Sequence, residues 1–313
     1  MKQPSFSDLE HSVKKKTTRK ERFLATMDEV IPWQRLLKPL RRKYPKGERG
    51  RPPTPLQALL RIYFLQQWFG LSDPGVEDSL YDTLCLRQFA GLSLDNIPDE
   101  TTICKFRHFL ETHNLSAVLF DQVNVYLQEQ GLLVHEGSIV DATIISASGS
   151  TKNQKQQRDP DMRQTRKGNQ WYFGMKAHIG TDLNGRVHSV CMTDAAVHDS
   201  QCLDDLLHGD EQIIYGDKAY SNRQRQSELE QQGKTWRVNR KAVRGRKLNC
   251  ADQSFNRKSN RVRARVEHVF GVIKHQWGYR KVRYRGLEKN ANQLFALFAL
   301  ANVYMCRRSL VRA

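Results

Sequence analysis

Ser138-Ile139-Val140-Asp141-Ala142-Thr143-Ile144-Ile145 is the stretch on which the reading of the whole chain turns. It is short and rich in β-branched residues, as a buried strand is. One residue is out of keeping. A carboxylate among Ile139, Val140, Ile144 and Ile145 is costly to bury unless it is paired or holds a metal. A strand edge turned to solvent is the ordinary alternative.

Downstream, the polar stretch from Ser146 to Gln170 reads as an exposed loop. Trp171 to Ile179 and Val187 to Met192 read as strands joined by a turn at Asp182-Leu183-Asn184-Gly185. A short helix around Cys202 to Leu207, a strand at Gln212 to Tyr215 and a helix from Asn222 to Gln231 come next. A strand at Thr235 to Val238 and a long helix from Lys258 to Trp277 complete the series. Three strands, then strand and helix in alternation, then helices, define a mixed α/β region with no internal repeat.

Upstream, the first 130 residues read as helical. From Pro55, Leu56, Leu59, Leu60, Tyr63 and Phe64 recur as on a helix with one buried face, after a proline-marked start. Asp99 is a candidate N-cap. Behind it Ile103, Phe106, Phe109 and Leu110 form an inner face and leave Lys105, Arg107 and His108 outward. A further helix spans Ser116 to Gln130. Short helices with basic outer faces suit a DNA-reading module of helix-turn-helix type, and equally a plain bundle. Arg49-Gly50-Arg51-Pro52 matches the core of a minor-groove AT-hook, though a proline-rich linker explains it as well.

Charge narrows the class of partner. Lys and Arg number 51 against 33 Asp and Glu, a net charge of +18 that attracts polyanions. Residues 234–265 hold twelve Lys or Arg and one acid, Asp252. The interleaved Trp236, Phe255, Trp277, Tyr279 and Tyr284 suggest stacking surfaces beside phosphate partners; a solvated face is the plainer account. No apolar run is long enough to span a bilayer, and the polar, basic first 20 residues do not read as a signal peptide. A soluble, cytoplasmic, nucleoid-associated protein is expected. Cys85, Cys104, Cys191, Cys202, Cys250 and Cys306 form no C-x-x-C pair and no zinc-ligand spacing. Free thiols in a reducing compartment account for them.

Two more acids attract notice beside Asp141. Asp217 follows a strand end, where open α/β sheets gather their ligand sites, although turn aspartates are common there. Glu267 lies on the long helix, whose Val262, Val266, Val269, Phe270, Ile273 and Trp277 form an apolar stripe within roughly 100°. Arg263, Glu267 and Lys274 occupy a strip about 40° wide at its border. A surface i, i+4 pair with Arg263 would explain Glu267. Three such acids also suit phosphodiester chemistry, in which two Mg²⁺ ions activate the attacking oxygen and steady the leaving one.

The motifs, in order along nearly the whole chain, carry a resemblance. They are Gly50-Arg51-Pro52-Pro53-Thr54-Pro55, the stretch from Pro98 to Arg107, Val140 to Ile145, and Lys167 to His178. Gly216-Asp217-Lys218-Ala219-Tyr220 and Arg263-Ala264-Arg265-Val266-Glu267-His268 complete the set. The chain resembles the insertion-sequence-five family of bacterial DDE transposases, whose catalytic core has the RNase H-like fold. The resemblance implies an α/β fold: an RNase H-like mixed sheet with flanking helices, preceded by an all-α N-terminal domain. Residues 1–130 would be a helical DNA-binding domain and 131–313 the catalytic domain, with a small basic insertion near 240–256. It makes Asp141, Asp217 and Glu267 the catalytic, metal-holding triad, with two Mg²⁺ ions for which Mn²⁺ can substitute. Arg263, Lys274, Lys105 and Arg107 become DNA contacts.

The family's Tyr-Arg-Glu-Lys signature falls on Arg263, Glu267 and Lys274, with Asn260 at the tyrosine position. His198-Asp199 matches a family pattern near the active centre without an assigned role. The expected activity is binding of terminal inverted repeats, cleavage by metal-activated water, and joining of 3′-hydroxyls to target DNA. The expected assembly is a dimer or higher homo-oligomer on double-stranded DNA, away from membranes. A nuclease of the same fold, a repressor with a relic catalytic domain and a basic RNA-binding protein are the rival readings.

Overall fold

The computed structural model describes residues 14–45, 53–242 and 245–312. The Arg49-Gly50-Arg51-Pro52 match lies outside them. The helical region comprises α1 (Arg19–Val30), α2 (Trp33–Arg41), α3 (Leu56–Phe69), α4 (Asp73–Asp82), α5 (Leu84–Ala90), α6 (Glu100–Thr112) and α7 (Leu115–Glu129). Local chemistry sets several of its ends. Thr18 and Glu21 form a reciprocal capping box on α1, and Asp99 caps α6 through the Thr102 amide. α3 departs from the single buried face expected of it. Ala58, Leu59, Leu60, Ile62, Tyr63, Phe64, Leu65 and Trp68 are all buried, because the other helices surround it.

The strands are β1 (Gly137–Ser146), β2 (Arg163–Lys167), β3 (Gln170–Thr181), β4 (Val187–Asp194), β5 (Ile213–Gly216) and β6 (Thr235–Val238). They form one six-stranded sheet. β1 runs antiparallel to β3 on one side and parallel to β5 on the other, and β6 continues parallel beyond β5. The far edge of β3 is shared: β2 pairs with Gln170 to Gly174, and β4 from Met175 onward. Apart from β2, this is the mixed RNase H-like order that the resemblance implies. β2 corrects the expected loop at Ser146 to Gln170. Its sequence lacks apolar alternation because neither of its faces meets a core.

Both faces of the rest of the sheet are covered. Ile139 and Ile145 of β1 belong to a core continuous with the helical region. Val140 points the other way, joining Ile214, Tyr220, Leu229, Trp236 and Val238 beneath α8 (Leu203–Leu206) and α9 (Arg223–Gln231). On the first face lie α10 (Cys250–Gly271), its π-helical continuation Val272–Gln276, and α11 (Leu287–Leu310). α10 begins eight residues before the expected Lys258 (258 − 250 = 8). Asn249 caps it through the Asp252 amide, and its first two turns are too polar to show a periodicity.

α11 joins the two regions. Its Gln293 amide donates to Gln67 of α3 at 2.9 Å. The Asn302 amide donates to Asn124 of α7 (2.9 Å) and to the Val187 carbonyl (2.7 Å), and its oxygen accepts the Val187 N–H (2.8 Å). In a buried seam such bonds are costly to leave unmade.

Candidate active site

β1 outruns β5. The parallel register pairs Val140 with Gly216, so Asp141 and Asp217 are the next residues on adjacent strands. Gly216 fits closely there: a Cβ would come to 3.0 Å from Val140 Cγ2 and 3.2 Å from Val238 Cγ2, so both side chains would have to give way. Beyond Gly216 the chain turns, and Asp217 caps the 3-10 turn Lys218–Tyr220 through the Lys218 amide at 2.6 Å. Asp141, Thr143 and Ile145 share the face that α10 covers.

The Asp141 carboxylate is mostly enclosed. One oxygen accepts the Ala142 N–H (2.8 Å) and the other an Arg263 guanidinium N–H (2.9 Å). Burial pushes its pKa above the ordinary 3.8; Arg263 and the Ala142 amide oppose this, and nearby Asp217 reinforces it. Arg263 is held in turn by Asn260, whose side-chain oxygen also accepts from Asn239 (3.2 and 2.8 Å). Asn260 thus steadies Arg263 from the place where the family signature has tyrosine. Asn239, at the end of β6, carries no motif, and only its burial marks it.

Further along β1, the Lys274 ammonium donates to Thr143 Oγ1 (2.6 Å) and to the Ile144 carbonyl (2.7 Å). Burial, helped by Lys167, lowers its pKa to about 8. On the opposite face Asp199 binds Lys176 (2.9 Å), while His198 caps the turn that Asp199 begins. Burial takes His178, 4.0 Å from Asp199, down to about 4, so the ring is neutral at physiological pH.

The structure brings Asp141 and Asp217 together and sets Glu267 apart. Glu267 is exposed on α10, one turn beyond Arg263. Among the described residues no group of three or more His, Cys, Asp or Glu is close enough to hold an ion. The aspartate pair alone offers the hard oxygen donors that a divalent cation takes, and its enclosed like charges are relieved by one.

Two expectations need correction. Arg107 does not point outward: it is buried, paired with Asp73 (3.1 Å) and Glu111 (3.0 Å), with its guanidinium over Tyr284. Lys105 is exposed. Nor do the interleaved aromatics form stacking surfaces: Trp236, Trp277 and Tyr279 are buried, Tyr284 stacks on Arg107, and Phe255 lies beneath Arg237 and Arg240.

An aspartate pair where the central strands end, with an arginine from the covering helix against one of them, suits divalent-ion chemistry on phosphates, as in DNA-processing enzymes. The family model described as "Transposase DDE domain" matches residues 133–303, more than half of the chain. The chain belongs to that family: it is a DNA transposase, an enzyme of metal-dependent DNA cleavage and strand transfer. A second model, described as a transposase domain (DUF772), matches residues 11–109. Among solved structures, the Mos1 strand transfer complex aligns at 15% identity, covering 84% of this chain and 78% of that one. Its TM-score is 0.27. No helix among the described residues is long and apolar enough to cross a membrane.

Proposed function

We propose that Asp141, Asp217 and Glu267 are the catalytic carboxylates of an insertion-sequence transposase of the insertion-sequence-five type. The placement of Asp141 beside Asp217, with Arg263 against Asp141, carries this reading. Glu267 stands four residues after Arg263, a spacing that puts their Cβ atoms about 5–6 Å apart on one helical face. Its carboxylate therefore shares a helix face with Arg263, the residue that reaches Asp141. The three would hold divalent ions, two Mg²⁺ or Mn²⁺ in their place. Such ions activate the attacking oxygen and stabilise the leaving one.

The chain's own groups do the rest. Arg263 pairs with the Asp141 carboxylate and would share its charge with a phosphate of bound DNA. Lys274 supplies a second cation beside Thr143. Lys105 is an exposed candidate contact on α6; Arg107 is spent on its acids and is not carried forward. The helical region, residues 1–130, would recognise the terminal inverted repeats. Residues 131–313, with the basic connection near 240–256, would cleave the ends and join 3′-hydroxyls to target DNA. The working form would be a homodimer or larger assembly on DNA in the cytoplasm.

Incubation with Mg²⁺ and DNA bearing the element's ends tests the reading. Wild type is expected to cut, and Asp217→Ala to bind without cutting. Equal cleavage by both would remove Asp217 from the chemistry.

A further inference from the structure

The ribbon formed by β2 and the first residues of β3 lacks a reason to exist inside the fold. Four of the five β2 residues are exposed and the fifth is half-buried. The ladder from Arg163–Gly174 to Lys167–Gln170 is what holds it to the sheet. At its base a Cβ on Gly174 would collide with the Ile145 carbonyl oxygen, so the ribbon leaves the sheet through a position only glycine can fill.

Its chemistry is one-sided. There is no Asp or Glu between Asp161 and Asp182, whereas Arg163, Arg166 and Lys167 are all exposed. Trp171 is 65% exposed, more than any other large hydrophobic side chain among the described residues. Arg166, tied to the turn through the Gly168 carbonyl and Asn169, lies 6.0 Å from the indole. An open indole among exposed cations is the combination that grips nucleic acid, a stacking surface beside phosphate partners.

The ribbon also has a direction. It extends β3 beyond Ser146, its last pairing with β1. Lys167, at the tip, is near enough to Lys274 to help hold that ammonium's pKa near 8. Lys274 in turn sits on Thr143, two residues from Asp141 on the same face. The ribbon therefore continues from the strands that carry the Asp141 face, and the charge at its tip is felt there.

We infer that the β2–β3 ribbon is a DNA-gripping arm, with Arg163, Arg166 and Lys167 on phosphates of a duplex that leads to Asp141 and Trp171 laid against its base edges. The inference rests on the proposed catalytic face. A two-stranded ribbon fits the major groove of duplex DNA, and its cations match the charge of the backbone.

The test uses the full chain, a mixed-sequence duplex oligonucleotide, and binding measured across a salt series with acrylamide quenching of tryptophan. The other tryptophans are buried or half-buried, so the quenchable signal belongs chiefly to Trp171. Duplex is expected to protect it. Replacing Arg163, Arg166 and Lys167 with Ala should reduce the slope of log affinity against log salt by about two to three. Trp171→Ala should weaken binding about tenfold, and Trp171→Phe much less. Melting temperatures should stay at the wild-type value, because none of the four replaced side chains is buried. Unchanged slope, affinity and quenching in folded variants would overturn the inference, as would protection by single-stranded RNA but not by duplex. Failure of the triad is read separately, as cleavage by Asp217→Ala, which leaves the ribbon's binding result standing.

Discussion

Arg107 and Arg263 each meet half-buried acids, yet their surroundings differ. Around Arg107, Asp73, Glu111 and the neutral ring of Tyr284 close from three elements, and the two acids help hold the guanidinium's pKa above its ordinary value despite burial. Around Arg263, Asp141 remains harder to ionise than a free aspartate even with the arginine in contact. The first cluster is electrostatically settled and serves the fold. The second carries an unmet need for positive charge, which marks a place built to receive something.

Removing a charge from each cluster sharpens that contrast most. Asp141→Asn should reduce cleavage by more than about 100-fold, beyond the loss typical of groups that only support a metal ligand. The same change should raise the melting temperature at pH 7. A carboxyl with a raised folded pKa loses stability as pH climbs from 3.8 through the folded value, and the neutral amide escapes that cost. A fall in melting temperature would erase the distinction between the clusters. Arg107→Ala has the opposite sign: breaking the buried pairs should cost about 3 kcal/mol in denaturant unfolding. Its folded fraction should keep the wild-type salt slope for DNA; a reduced slope would return Arg107 to the contact surface.

Lys274 offers a smaller, pH-dependent difference. Between about pH 8 and 10.5 its folded form has lost the proton that the unfolded chain keeps, so stability rises with pH across that window. Duplex affinity should move the other way, falling above pH 8 as one phosphate contact loses its charge. Lys274→Arg should flatten that fall in a binding titration. The smallest effect is expected of Asn260→Ala. Freeing one side of Arg263 should cost about 1 kcal/mol of stability, read by thermal unfolding; a change well above that would make Asn260 a principal support.

β1, β3, β4, β5 and β6 were legible because their side chains alternate against, or run through, a core. β2 was not, since strand pairing without burial leaves no periodicity in the sequence. The first turns of α10 were hidden for the same reason. Asp141 stood out as a charge in an apolar run, and Asp217 by its place after a strand. Arg107 was misjudged because a helical wheel cannot know that Asp73 and Tyr284 approach from other elements. Asn239 had no signal at all: its partner Asn260 lies 21 residues away on another element.

α11 gives the molecule an unusual order of assembly. Gln293 and Asn302 of this helix complete hydrogen bonds to Gln67 and Asn124 in the helical half. While the chain is being made, that half must wait with an open seam until the last helix emerges. A copy that stops before Leu287 would leave that seam open, without the helix that ties the helical half to the sheet. Recognition and cutting would then be inherited, or lost, as one piece.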